Sequence, residues 1–346
     1  MKRHLVVLNL FLFVFLTGLI VVSVPGRSAA QEVIKLNYAN FFPAPEPHSG
    51  NIEAWGKEIE QKTNGRVKMT FFHAGTLAPA DQIYDSVVKG ISDIGLSCFT
   101  YTRGKFPLTS VIDLPLGLQN GVTATRMANA YFKKFMPKEC DEVKMLYVHA
   151  HGPGLIHTTK KPVATLEDLK GMKIRSTGLA SKLVLALGAA PVGTTMPETY
   201  DALRTGVAEG ATAPIQALKG FRWGEVVKYT ILNYGSSYST GFFIAMNKKK
   251  WDALPPDIQK IFEQASEERS EKTGALWDST DQDGIKFITD RGVKMLPLSK
   301  EEDARWAEAV KPLLNAYVEE MKGKNLPGAE ALKFCQDYIK ANQKAK

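Results

Sequence analysis

The chain has 346 residues, 44 lysines and arginines against 36 acidic residues, and a formal charge of +8. This length suits two α/β lobes better than a single core. The positive charge is scattered, with Lys248-Lys-Lys250 and the C-terminal lysines as the only small clusters, and no basic stripe is interleaved with aromatics, which argues against a nucleic-acid partner. Cys98, Cys140 and Cys335 are too widely spaced for a metal site or a disulfide scaffold, so free or buried thiols are expected.

Lys2, Arg3 and His4 precede an almost wholly apolar run over residues 5–24, and Ser28-Ala-Ala30 forms a small-x-small site before Gln31. This is the anatomy of a cleaved signal peptide over residues 1–30, and it predicts a soluble periplasmic product of about 316 residues. An uncleaved run of this length would instead act as a membrane tether. Cleavage removes Lys2, Arg3 and Arg27, leaving a mildly basic protein whose field weakly favours anionic ligands.

Residues 33–38 alternate as a strand and lead into a proline-rich loop, 39–47. A helix over 51–64, a strand over 66–72, a helix over 79–89 and a buried strand over 94–97 follow. This β-α-β-α-β order predicts a parallel sheet. The middle repeats the rhythm. Strands are expected at 145–149 and 155–159 around His151-Gly-Pro-Gly154, then a helix over 180–187, a strand over 190–193, a helix over 197–205, and strands over 210–212 and 240–246. The last third reads as helices over 257–291, 300–322 and 329–340. The organisation predicted is a first lobe begun by 31–150, a second lobe over 151–238, and a return to the first over 239–346 through hinge-spanning and C-terminal helices. That organisation describes a two-lobe α/β protein with hinge-crossing strands, as in a periplasmic-binding-protein fold. Periodicity alone reaches only an exported two-lobe α/β protein, and many exported enzymes share the description.

Within the second lobe, Thr165-Leu-Glu-Asp168 is a capping box with Asp in place of the usual Glu. Leu169-Lys-Gly171 closes the short helix, and Met172-Lys-Ile-Arg175 reads as a strand. Its last residue exits into Ser176-Thr-Gly178, where α/β sheets bind ligands. A guanidinium there is either a solvated strand end or a fork for a carboxylate.

Several segments in order resemble one family: Glu60-Gln-Lys-Thr-Asn-Gly-Arg-Val-Lys68, Gly75-Thr-Leu77 with the stretch 85–94, Asp113-Leu-Pro-Leu116, the stretch 166–175, Tyr200-Asp-Ala-Leu-Arg-Thr-Gly206, and Ala245-Met-Asn-Lys248 followed by Trp251 and Leu254-Pro255. Together they are similar to the DctP-type solute-binding subunit of tripartite ATP-independent periplasmic (TRAP) transporters. The resemblance implies that Arg175 clamps the ligand carboxylate. The implied partner is a membrane permease of one large and one small subunit, driven by an ion gradient. No cofactor is expected, and the chain is expected to act as a monomer.

The departures from the family pattern refine the expected ligand. Sugar-acid and dicarboxylate binders often carry a second arginine twenty residues before the clamp, where Leu155 stands here. Thr212 and Ala213 replace the acid and amide of a further family segment. A monocarboxylate with an apolar or aromatic body is therefore expected, with a C4-dicarboxylate as the alternative in the same family. An exported α/β hydrolase is the alternative from another class, but no G-x-S-x-G elbow, H-E-x-x-H or paired-cysteine metal site supports it. Further pocket candidates are Phe41 and Phe42 on the first loop, Cys98 and Phe99 after the third strand with Tyr101 nearby, and Thr195 and Met196. Phe221, Trp223 and Tyr238 complete the set, Tyr238 as hinge or ligand donor. His157 shares a strand face with Leu155 and is either a satisfied structural histidine or a donor in place of the missing arginine. The His149-x-His151 pattern reads as a turn rather than as a metal pair.

Overall fold

The computed structural model describes residues 32–343; the leader and cleavage-site reading lies outside the described residues. The first lobe is a five-stranded sheet of order β2-β1-β3-β10-β4. It comprises β1 (Ile34–Asn40), β2 (Val67–Phe72), β3 (Ile94–Cys98) and β4 (Val143–Ala150), together with β10 (Gly241–Asn247). β1 runs parallel to β2 and β3, as the β-α-β-α-β reading anticipates, and β10 lies antiparallel between β3 and β4. Every residue of β10 is buried, which is why it reads as a continuous apolar run rather than an alternation.

The second lobe is a six-stranded sheet of order β11-β9-β5-β8-β6-β7. Its members are β5 (Leu155–Thr158), β6 (Lys173–Arg175), β7 (Ala190–Val192), β8 (Gly210–Ala213), β9 (Tyr229–Leu232) and β11 (Lys294–Pro297). The chain crosses between lobes through residues 151–154 and returns through 233–240. At the crossing the Gly154 N–H donates to the Tyr238 carbonyl at 2.7 Å. A side chain on Gly154 would overlap the Tyr238 ring, so the crossing strands can approach this closely only with glycine there.

A third connection is the 34-residue helix Pro256–Thr289. It packs on the first-lobe helices Pro47–Lys62 and Gly121–Phe135 and on the second-lobe helix Gln216–Gly220, then leads into β11 in the second sheet. The segment after residue 239 thus contributes to both sheets. The last helix, Gly328–Asn342, returns to the first lobe and packs on Gly121–Phe135, with Phe334 edge-on to Phe135 at 5.8 Å.

Three differences from the expected elements have local causes. The first helix starts at Pro47, a turn earlier than expected. Proline at a first helical position gives up an N–H that would be unpaired anyway, and the Glu46 carboxyl caps the turn by accepting from the His48 N–H at 2.7 Å. Helix Gly121–Phe135 was not anticipated; Asn120 caps it by accepting from the Thr123 N–H at 2.7 Å, and Ala124, Met127, Ala128 and Tyr131 form its buried face. The expected helix over 300–322 is divided at Pro312 into Lys300–Val310 and Pro312–Gly323, because proline supplies no N–H to the preceding turn.

Candidate ligand cavity between the lobes

The capping box that positions Arg175 forms as the sequence indicates: Asp168 accepts from the Thr165 N–H at 3.1 Å and from the Ala164 N–H at 3.0 Å. The chain turns at Gly171 in a left-handed conformation and enters β6 between β7 and β8, with Arg175 opposite Val192 and Ala211. Arg175 is only 3% exposed. Its Nε donates to the Thr194 carbonyl at 2.8 Å and its Nη1 to the Thr212 carbonyl at 3.4 Å. The Trp223 ring lies 5.6 Å from the guanidinium carbon. Nη2 is buried with no hydrogen-bond partner among the described residues. A buried cation bonded to neutral oxygens, with one donor unmet, is costly unless an anion arrives.

Arg175 faces a small cavity of about 30 Å³. One wall is aromatic. Phe41 stacks on Phe42 at 4.3 Å, Phe42 on Phe242 at 6.2 Å, and Phe242 tilts against Trp277 at 5.3 Å. The Trp277 indole is fixed by donating to His149 Nδ1 at 3.0 Å. Cys98, Tyr101, Met196, Thr212 and Tyr238 complete the part of the lining foreseen from sequence. Burial raises the Tyr238 hydroxyl pKa to about 12, opposed by a bond with Thr212 and by the nearby Arg175, so it is neutral at physiological pH. Tyr238 also pairs with Gly154, which places it both at the crossing between lobes and on the cavity wall.

The other candidates lie outside this lining. Leu155 and His157 do share burial on β5, but neither reaches the cavity. Both nitrogens of His157 are engaged, Nε2 with the Ala213 carbonyl and Nδ1 with the Thr230 hydroxyl, each at 3.1 Å, so it is a structural histidine. Phe99 packs among Phe106, Phe132 and Phe243. Thr195 caps its helix through the reciprocal bond with Glu198 and lines an outer polar recess. Phe221 lines a larger recess beside the proline-rich loop, and Trp223 sits behind Arg175 rather than in front of it.

Gln216, Thr177, Thr240, Phe242 and Trp277 line the cavity without having been foreseen. They come from β8's exit, β6's exit, β10 and the long helix, and no local pattern marks such residues as neighbours. His151 lines it too, in the role of a wall residue and not of a turn alone.

Two hydrogen bonds tie the lobes over the cavity. The Met196 N–H donates to the Tyr101 hydroxyl at 2.9 Å, and Gln216 Nε2 donates to Glu46 Oε1 at 2.7 Å. Burial pushes the Tyr101 hydroxyl up, with Arg175 pulling the other way. The Cys98, Cys140 and Cys335 thiols are buried and free, and Cys98 lies on the cavity wall.

Two lobes closed over a cavity whose one charged wall residue is an under-bonded arginine define a ligand-capturing binding protein. Comparison with known proteins makes the class specific. Residues 38–321 match the model of the DctP family, bacterial extracellular solute-binding protein family 7. A TRAP periplasmic solute-binding protein from Desulfovibrio salexigens is 32% identical, with a TM-score of 0.79 over 90% of this chain and 98% of that one. A marine metagenome TRAP solute-binding protein specific for aromatic acid ligands, in complex with metahydroxyphenylacetate, is 28% identical with a TM-score of 0.86 over 90% and 100% of the two chains. A TRAP solute-binding protein from Rhodoferax ferrireducens in complex with copurified benzoate is 26% identical with a TM-score of 0.85 over 89% and 98%. The chain belongs to the DctP family, the periplasmic receptors that bind small organic ligands and work with a TRAP membrane permease. This is a family of transport receptors and not of enzymes.

Proposed function

We propose that this receptor captures a small monocarboxylate with a flat apolar or aromatic body, bound through Arg175, and delivers it to the large and small subunits of an ion-gradient-driven TRAP permease. The observation that carries the reading is the Arg175 Nη2, buried, unpartnered and set in a cavity walled by Phe41, Phe42, Phe242 and Trp277. A carboxylate meets the guanidinium while a ring fills the aromatic wall. Charge-assisted hydrogen bonds of roughly 1.5–3 kcal/mol each supply a large part of the ~8 kcal/mol of a micromolar complex. Support also comes from the two similar receptors that hold metahydroxyphenylacetate and benzoate.

The cavity lining disfavours a dicarboxylate, whereas Leu155 lies in the core and plays no part in this. Among the described residues Arg175 is the only lysine or arginine in that lining, so a second carboxylate would be buried without a cation. We read the chain as a carrier that leaves its ligand chemically unchanged, and turnover of any bound acid would contradict this. A thermal-shift panel tests the ligand class, since a ligand that binds only the folded state raises the melting temperature. Aromatic and branched monoacids are expected to give the largest shifts; tighter binding of succinate or malate would overturn the proposal.

A further inference from the structure

The cavity contains a hydrogen-bonding group that a carboxylate on Arg175 does not use. His151 lies at the crossing between lobes, 3% exposed and on the cavity wall. Its Nδ1 is 2.6 Å from the Gly152 carbonyl oxygen. A carbonyl only accepts, so Nδ1 carries the hydrogen. Burial pushes the His151 pKa down to about 4, with the Gly152 bond pulling the other way. The ring is therefore neutral at physiological pH, and Nε2 presents a bare lone pair. Nothing in the protein donates to it among the described residues. Unlike Nε2 of His48, which is sealed, it stays open to the cavity. The ring cannot easily turn away, because Tyr238 meets it edge-on at 5.5 Å and Trp277 lies 5.9 Å away.

We propose that His151 determines specificity by accepting a hydrogen bond from a hydroxyl on the ligand's ring, so that the preferred substrates are ring-hydroxylated aromatic monocarboxylates. This rests on the reading of Arg175 as the carboxylate clamp. The two groups then divide recognition: a cation meets the acid, and a neutral acceptor meets a donor elsewhere on the same small molecule. A parent acid without the hydroxyl leaves Nε2 unpaired when the cleft closes, whereas a phenol satisfies it. An ether or a halogen at the same position has no proton to give and gains nothing.

Isothermal titration calorimetry with benzoate and phenylacetate, their ring-hydroxylated isomers and the matching methoxy isomers tests this. At least one hydroxy isomer is expected to bind about tenfold tighter than its parent, and its methoxy counterpart no tighter than the parent. In His151→Phe the hydroxyl preference, taken as the ratio of hydroxy-acid to parent-acid affinity measured in that variant, is expected to fall within about twofold. The methoxy comparison needs no variant and remains decisive if His151→Phe does not fold. The role of His151 is overturned if no hydroxy isomer exceeds its parent, if methoxy isomers gain as much, or if the preference survives in His151→Phe. Binding of parent acids without hydroxyl preference overturns this inference alone, whereas failure of every aromatic and branched monoacid to bind overturns the proposed function with it.

Discussion

Gln216 and Glu46, 170 positions apart in sequence, share a buried hydrogen bond of 2.7 Å that joins the second lobe to the first. The Glu46 carboxyl does two tasks with its two oxygens. Oε2 caps the first-lobe helix by accepting from the His48 N–H, and Oε1 takes the Gln216 amide. Gln216 is itself held from behind, its backbone N–H donating to Asp281 on the long helix at 2.8 Å. Closure of the cleft is thus fastened to a helix start on one side and to the long helix on the other.

Breaking this bond should weaken ligand binding without unfolding either lobe. Gln216→Ala is expected to lower affinity by about threefold to tenfold, the worth of one net hydrogen bond. Gln216→Glu, which sets a second acid beside Glu46, is expected to lower it further. Calorimetry alongside the ligand-free melting temperature checks both. Unchanged affinity in both variants would show that the bond does not contribute to closure.

Gly178 provides a steric test of the same closure. It follows Arg175's turn with φ +53°, a conformation that side-chain-bearing residues rarely adopt, and a Cβ there would overlap the Thr100 hydroxyl of the first lobe. Gly178→Ala is expected to hold the lobes apart and to reduce affinity about tenfold or more, by the conformational strain and the lost closed-state contacts. Solution scattering should then show a smaller ligand-induced compaction than in the native chain. Native affinity and compaction in this variant would contradict the closed geometry at Thr100.

His157 predicts a signed pH dependence of stability. Burial, opposed by its bond to the Ala213 carbonyl, lowers its pKa from 6.5 to about 4. Between those values the unfolded chain binds the extra proton, so the stability contributed by His157 is complete above pH 6.5 and lost as pH falls toward 4. Asp113 and Asp281, both pushed up to about 7 by burial, act in the opposite direction over an overlapping range. The whole-protein curve therefore does not isolate the histidine, but the difference from His157→Asn does. Denaturant unfolding at pH 7, 5.5 and 4.5 is expected to show the native chain's advantage over His157→Asn shrinking with acidification. A constant advantage would mean that the histidine is not held neutral.

Arg175 was legible in the sequence because everything that places it is local: the Thr165–Asp168 capping box, Gly171 and a three-residue strand. The parallel order of β1, β2 and β3 was legible for the same reason, β1 and β2 each being followed by a helix that ends close to a glycine, Gly65 and Gly90. The aromatic wall was only half legible. Phe41 and Phe42 stand on a loop whose position the first strand fixes, but Phe242 lies in a strand buried on both faces, where apolar periodicity cannot say which side chains turn toward a cleft. Trp277 is one of many apolar residues on a long amphipathic helix, and only the tertiary packing selects it. His157 misled because strand alternation correctly groups it with Leu155 yet carries no information about which face of β5 meets the other lobe. His151 was hidden by its turn, since Gly-Pro-Gly predicts a reversal but not the cavity that the reversal borders.

The most direct measurement is calorimetric titration of the native protein and Arg175→Ala with the aromatic monoacid that gives the largest thermal shift. The account predicts saturable one-to-one binding to the native protein and a loss of about a hundredfold or more in the variant, the worth of two charge-assisted hydrogen bonds, with circular dichroism showing the variant folded. A folded Arg175→Ala that binds the same acid with native affinity would contradict it.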